Sequence, residues 1–306
     1  MKDVSNKVDS LRIALAQGRV RAKHETIQVI KRGEVPKGNV IEIARTAAIQ
    51  AAKRTSDIIP YCHQIPLDHV AVDFELMENT ICVKAQVKAI WKTGVEMEAL
   101  MAVSVAALTI YDMLKPIDDS LKIEEIVLLE KKGGKSDYAE KVTRPIRAGV
   151  VVLSDSTARG SRQDKSGKLI ETRLKEYAIN VVAYKVLPDD KALLIKELIY
   201  LSDTEKLNII MTTGGTGFSS RDITPEATEE VIERITPGIT ETIRSYGQKR
   251  TPFAMLSRSI SGIRGKTLII NLPGSVKGVE ESLNMLLPGI FHALRMLSDE
   301  GHNENV

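Results

Sequence analysis

The chain has 306 residues, 43% of them hydrophobic and 27% charged, and 43 Lys+Arg against 40 Asp+Glu leave a net charge of +3. That length is a prior of two domains, and the balance is that of an ordinary globular protein, which excludes a disordered chain. The charge is spread evenly over both halves and aromatics make up only 4%, so the basic, aromatic-studded face of a nucleic-acid binder is not expected.

The start, MKDVSNKVDSLR, has no apolar signal-like region, and Cys62 and Cys82 are too few for a disulfide framework. A cytoplasmic, reducing location with no membrane partner is the expectation. HETIQVI (24–30) reads as a strand. Asn39 with Glu42 three residues on then caps a helix, along which Val40, Ile41, Ile43, Ala44, Ala47, Ala48 and Ala51 follow helical spacing up to Lys53-Arg54-Thr55. Val70 to Leu76 and Ile81 to Ala89 alternate apolar with polar around Glu78-Asn79, a hairpin with one apolar face.

KTGVEMEALMAVSVAALTIYDMLK (92–115) is the central helix. Thr93 and Glu96 have the spacing of a capping box, which predicts a helix start at Thr93. Its uncharged run, Ala99 to Tyr111, is too short for a bilayer, which needs about 20 residues. A helix apolar all round is expected to be buried in protein. LKIEEIVLL (121–129) follows as a last strand. The order β-α-β-β-α-β predicts an α+β, ferredoxin-like domain. KKGGKSDYAEKVTRPI (131–146) lacks any period and reads as linker, giving domains at 1–140 and 147–306 with 141–146 between them.

The second half changes character. AGVVVLS (148–154), KLNIIMTT (206–213) and KTLIINL (266–272) are continuous apolar runs, as in strands of a mostly parallel α/β sheet covered on both faces. The second leads into Gly214-Gly215-Thr216-Gly217, Arg221-Asp222, and Thr224 as N-cap with Pro225 at the first helical position. The third ends in Pro273-Gly274-Ser275 and a final helix through His292. Strand, glycine loop and helix start form a phosphate cradle, and three such loops predict one crevice at the carboxyl ends of the strands.

One further inference comes from distance. Glu98 and Asp112 lie roughly 21 Å apart along one helix at about 1.5 Å per residue, too far to share a proton transfer. If both ends serve one site, a second copy of the chain must bring them together; otherwise Glu96 is a cap and Lys115 a partner of the helix dipole.

KGNVIEIARTAAIQAAKRT (37–55), IIPYCH (58–63), the 92–115 helix and GGKS (133–136) resemble the cyclic pyranopterin monophosphate synthase family over residues 1–140. SDSTARGSRQDKSG (154–167), LPDD (187–190), TTGGTGFSSRDITPEA (212–227), LSR (256–258) and NLPGS (271–275) resemble the molybdopterin adenylyltransferase family over about 147–297. Both belong to molybdenum cofactor biosynthesis.

The first resemblance implies conversion of (8S)-3',8-cyclo-7,8-dihydroguanosine 5'-triphosphate to cyclic pyranopterin monophosphate with release of pyrophosphate, and no cofactor. Tyr61, Cys62, His63, Met97 and Glu98 would contact substrate, Asp112 would be the acid-base residue, and Lys37, Lys115 and Lys135 would serve the triphosphate and proton transfer. Metal binding by Cys62 and His63 is not expected, because no second pair has ligand spacing. The second resemblance implies transfer of AMP from Mg-ATP to molybdopterin, with Asp189 and Asp222 on the metal and Gly214, Gly215, Thr216, Gly217, Asn271, Pro273, Gly274 and Ser275 on the substrates. This half departs from the family pattern at Ser156, Ser220 and Val276, and the first half at Asn39, Tyr61 and Gln64. A bifunctional enzyme is therefore expected, built as a homo-oligomer with composite N-terminal sites. The alternative is a synthase whose second domain binds pterin or a partner without catalysis.

Overall fold

The computed structural model describes residues 1–134, 137 and 145–298. It divides into two compact units, Met1–Tyr138 and Ala139–Val306.

The first unit runs β1 (Ser10–Arg21), α1 (His24–Arg32), α2 (Val40–Lys53), the single turn α3 (Thr55–Ile58), β2 (His69–Leu76), β3 (Thr80–Trp91), α4 (Glu96–Leu114) and β4 (Lys122–Lys132). All strand pairs are antiparallel, in the order β2-β3-β1-β4, the ferredoxin-like arrangement. Its first strand is β1, and HETIQVI, expected as a strand, is helix α1. The short apolar run fits both periods, but Asp118 accepts from the amide of Lys23 and the hydroxyl of Thr26, anchoring the first turn. Gly33, in the left-handed region, closes the other end. Asn39 caps α2 by accepting from the amides of Ile41 and Glu42.

The core is built from small residues. Ala14, Ala16 and Val20 of β1 and Ala85, Val87 and Ala89 of β3 are buried with Ala44 and Ala48 of α2 and Val103, Ala106 and Ile110 of α4. A Cβ on Gly18 would run into Val103, so the glycine lets α4 close onto the sheet. At roughly 1.5–3 kcal/mol per fully buried Val, Leu or Ile side chain, these contacts outweigh any local preference.

Two expectations for α4 change. It starts at Glu96 without a side-chain cap, because Thr93 and Gly94 belong to the turn leaving β3. It is also long and apolar enough to cross a membrane by length and composition, with half of that window buried against the rest of the unit. The helix is therefore not buried all round: Met97, Leu108 and Tyr111 are exposed, Leu108 by 59%. Of the expected linker, Lys131 and Lys132 belong to β4. Gly133 has φ +99°, and a Cβ there would run into the carbonyl of Leu11, so the chain is packed on β1 at this point.

The second unit runs β5 (Arg147–Leu153), the turn α5 (Asp155–Ala158), α6 (Ser166–Glu176), β6 (Asn180–Leu187), α7 (Lys191–Ile199), β7 (Ile209–Thr213), α8 (Thr224–Glu229), β8 (Arg234–Ile235), α9 (Pro237–Gln248), β9 (Ser261–Arg264), β10 (Thr267–Leu272), α10 (Val276–Leu286) and α11 (Ile290–Leu297). The sheet order is β6-β5-β7-β10-β9-β8, parallel from β6 to β10 and antiparallel at β9 and β8. Val150, Val152, Met211 and Ile270 join one core with α6, α10 and α11. Val151, Leu153, Ile210 and Ile269 join a second with α7. Both faces are covered, which is why these strands read as unbroken apolar runs. The expected final helix is two helices, separated at Leu287 to Gly289 around Pro288. Thr224 is the first residue of α8, and its hydroxyl donates to the carbonyl of Gly214 rather than capping the helix.

Candidate functional site

The two ends of α4 carry different chemistry. At its C-terminal end Asp112 holds two lysines: Lys37 at 2.9 Å and Lys115 at 2.8 Å. Lys37 also donates to the backbone carbonyl of Asp112 at 2.7 Å. It reaches the helix from the loop between α1 and α2. Lys115 and Lys37 pull the Asp112 carboxyl down to about 2. At that value Asp112 is ionised near neutrality, and its carboxylate holds both ammoniums in place. The cluster carries one net positive charge.

At the N-terminal end Glu98 is 3% exposed, and its Oε2 has no hydrogen-bond partner. Burial, and then the charge of Glu96, push its pKa up to about 7. Cys62 lies within reach of this charge; burial first and Glu98 second raise its thiol pKa. The ring of His63 meets the backbone carbonyl of Lys2 at 2.8 Å, while Tyr61 and Met97 are exposed. Lys135 lies outside the described residues.

Next to the first turn of α4 is a polar cavity of about 270 Å³, with Lys7, Arg12, Glu96, Lys131 and Lys132 on its walls. Arg12 is fixed by donating to the carbonyls of Trp91 at 3.2 Å, Lys92 at 3.4 Å and Gly133 at 3.0 Å. Lys7 and Arg12 were not among the expected site residues. Only the pairing of β1 with β3 and β4 brings them beside Lys131, so no local spacing could have pointed to them.

In the second unit the loops after β5, β7 and β10 meet, as the three apolar runs predict. A cavity of about 390 Å³ is lined by Ser154, Gly214, Gly274 and Ser275 from these loops and by Arg162 and Lys165 before α6. Gly214 has φ +97°, and a Cβ there would run into the carbonyl of Leu153, so no other residue brings the loop this close. Ser275 caps α10 by accepting from the amide of Gly278. Asp164 accepts from the amide of Gly167 and from the hydroxyl of Tyr184, fixing the start of α6.

The remaining expected residues sit behind this cavity. Arg258 donates to the carbonyls of Gly217 and Asp222 and pairs with Glu226, and its amide donates to the carbonyl of Thr216, so the glycine loop is held from below. A Cβ on Gly215 would meet Thr224. Asp189 and Asp155 bond to each other's amides at 3.2 and 3.3 Å, and Arg221 pairs with Asp155. Burial first, and the charge of Asp222 second, raise the pKa of Asp189. Asn271 is 0% exposed and donates to Thr212 and Thr228, both at 2.9 Å, so it knits β10 to β7 and α8.

Residues 1–134 match the MoaC family, and residues 149–292 match the family described as "Probable molybdopterin binding domain". Over 99% of its length the chain is 42% identical to a molybdenum cofactor biosynthesis bifunctional protein of Chlorobaculum tepidum, covering 96% of that protein. The chain belongs to this bifunctional family. A second member, from Synechococcus elongatus, is 37% identical over 99% of this chain and 98% of its own length. A cyclic pyranopterin monophosphate synthase of Roseiflexus is 53% identical over 44% of this chain and 87% of its own length.

Within the family the first half's departure at position 39 has little physical weight. Asn39 caps α2, and Asn and Asp are about equally good caps. Val276 lines the second unit's cavity beside Ser275, and Ser156 stands behind its wall, meeting the lining residue Ser154 at 3.1 Å. A magnesium ion, which takes one or two carboxylates and keeps several waters, fits the pair Asp189 and Asp222, whose mutual repulsion a cation would relieve. No group of three or more His, Cys, Asp or Glu side chains able to hold a metal occurs among the described residues.

Proposed function

We propose that the first unit converts (8S)-3',8-cyclo-7,8-dihydroguanosine 5'-triphosphate to cyclic pyranopterin monophosphate and pyrophosphate, at a site shared by two copies of the chain. The observation that carries this is α4: a cationic cluster at one end, a buried protonatable carboxyl at the other, and an uncovered stripe between. Met97, Met101, Ser104, Leu108 and Tyr111 recur at alternating four and three residues and are exposed or half-exposed, the repeat of a helix seam. A two-fold axis near Ser104 would cover the stripe and set Glu98, Cys62 and His63 of one copy beside Lys37, Asp112 and Lys115 of the other.

Lysines held by Asp112, with Arg12 and Lys131, suit a triphosphate and the charge that develops as pyrophosphate leaves. Glu98, poised near neutrality, suits taking up and releasing a proton during ring opening and closure. Incubating the full chain with the cyclic triphosphate should yield one pyrophosphate per pterin product without added metal-redox or organic cofactor. Pterin formation without pyrophosphate would oppose this reading.

For the second unit the reading is adenylylation of molybdopterin with Mg-ATP. A phosphate oxygen of the pterin bonds to the α-phosphorus of ATP, and the bond from that phosphorus to the bridging oxygen breaks as pyrophosphate departs. Asp189 and Asp222 would hold magnesium, which neutralises phosphate charge. The amides of the Gly214–Gly217 and Pro273–Ser275 loops and the Arg162 and Lys165 side chains would orient the phosphates. Support comes from the meeting of three strand ends at one polar cavity. Molybdopterin-dependent pyrophosphate release from ATP tests it; pterin binding without such release would favour the non-catalytic alternative.

A further inference from the structure

Under the adenylyltransferase reading, Arg162 and Lys165 face phosphate in the polar cavity of the second unit, yet a carboxylate, Asp164, lines the same cavity. Left free, that charge would pair with the two cations and repel a phosphate oxygen. The fold ties down both of its oxygens. Oδ1 accepts from the amide of Gly167 at 2.9 Å and from the hydroxyl of Ser166 at 3.3 Å. Oδ2 accepts from the hydroxyl of Tyr184, which reaches it from β6. A Cβ on Gly167 would run into the Asp164 carboxylate, Val152 and the Tyr184 hydroxyl at once, so the glycine leaves the gap in which phenol and carboxylate meet. The ring is held in turn by Lys168, whose ammonium stands 4.0 Å from the ring centroid. Burial first, and the bond to Asp164 second, raise the pKa of the phenol, so it stays a donor throughout the neutral range.

We propose that Tyr184 is a positioning residue for this cavity: its hydroxyl holds the Asp164 carboxylate against the first turn of α6, which leaves Arg162 and Lys165 free for a phosphate. Tyr184 acts through Asp164 and not on a reactant. Hydrogen bonds to an ionised group are among the strong ones, and here they keep the carboxylate turned toward the helix. Without the phenol oxygen, Oδ2 loses its protein donor while remaining half-buried on the cavity wall. The cations of the same wall can then take the donor's place, and a phosphate must displace the carboxylate before it binds. Asp164 lies within SDSTARGSRQDKSG (154–167), whereas Tyr184 lies outside the motifs of the second half, so only the pairing of phenol and carboxylate across the fold points to it. This rests on the reading of the polar cavity as a phosphate site.

The test is the steady-state kinetics of molybdopterin-dependent pyrophosphate release from Mg-ATP by the full chain, run as a double-mutant cycle. Tyr184→Phe removes one oxygen and keeps the ring beside Lys168; circular dichroism checks the fold. It should raise the KM of at least one phosphate-bearing reactant about tenfold, the scale of a lost hydrogen bond to a charged group, with kcat within about twofold of wild type. In an Asp164→Asn background no charge remains to be held, and the same change should move KM by less than about twofold. Unchanged KM values in Tyr184→Phe overturn the proposal but not adenylyl transfer. An equal loss in both backgrounds, which a purely structural tyrosine would give, overturns it as well, and so does a loss confined to kcat. If the wild-type chain releases no pyrophosphate from ATP, the adenylyltransferase reading fails, and calorimetry with molybdopterin decides the proposal by the same comparison of affinities in the two backgrounds.

Discussion

Replacing Glu98 by Gln keeps the side chain's shape and removes a charge that the fold buries. The ordinary Glu value of 4.5 rises to about 7 here, first through burial, and a gap of that size corresponds to roughly 3 kcal/mol at about 1.4 kcal/mol per pKa unit. The folded-state pKa lies above the unfolded one, so the folded chain binds the extra proton between pH 4.5 and 7. The contribution is present in full below that window and is lost as pH rises through it. Glu98→Gln escapes the loss. It should match wild type near pH 4.5 and exceed it by up to about 3 kcal/mol at pH 8. Trp91 in β3 is the chain's single tryptophan, so its fluorescence during urea unfolding follows the first unit, at one fixed protein concentration because association stabilises. Synthase turnover should fall at the same time, since an amide cannot exchange the proton. A stability difference that stays constant from pH 4.5 to 8 would refute the reasoning.

Three further outcomes are expected. Asp112→Asn should keep the fold and cut synthase kcat by about 10²–10³, the scale of one lost preorganised electrostatic group, because Lys37 and Lys115 lose the carboxylate that holds them; a variant with half the wild-type rate would rule the cluster out. His63→Ala should cripple pyrophosphate release from the cyclic triphosphate and leave ATP-dependent pyrophosphate release unchanged, while parallel loss of both would mean that the two halves do not act independently. Asn271→Ala should lower the unfolding free energy of the second unit by about 1–3 kcal/mol, because Thr212 and Thr228 lose a buried donor; the KM for ATP should stay within twofold, and a large KM change with normal stability would return Asn271 to the substrate.

Much of the fold was legible because its signals are local. The Asn39 cap, the hairpin's alternation and the unbroken strands of the second unit each follow from a few neighbouring residues. β1 escaped because it is apolar on both faces: Ala14, Ala16 and Val20 are buried against the helices while Leu11, Ile13 and Leu15 stand on the other side, and the two-residue period fades. HETIQVI was misread for the converse reason, a run too short to separate a strand from a helix whose start depends on Asp118, about 90 residues away. The same division holds for the sites. Lys37, Asp112 and Lys115, read from motifs, do come together. Arg12 was invisible because its neighbours arrive from two other strands. The motif that contains Asn271 gives no hint that its amide points into the core. The ionisation of Asp112 and Glu98 is set by surroundings that no spacing encodes, two lysines on one carboxyl and burial of the other.

The central claim is that the two ends of α4 meet only between copies of the chain. Glu98→Ala and Asp112→Ala proteins should each be inactive as synthases alone. Mixed in equal amounts under conditions that allow subunit exchange, half of random dimers are heterodimers, each with one intact and one doubly damaged site. Synthase activity should then recover to about a quarter of wild type, the share of intact sites that this two-fold arrangement allows. Exchange is verified by native mass spectrometry of size-tagged chains. Complete exchange with no recovered activity would contradict the shared site and confine each active centre to one end of the helix.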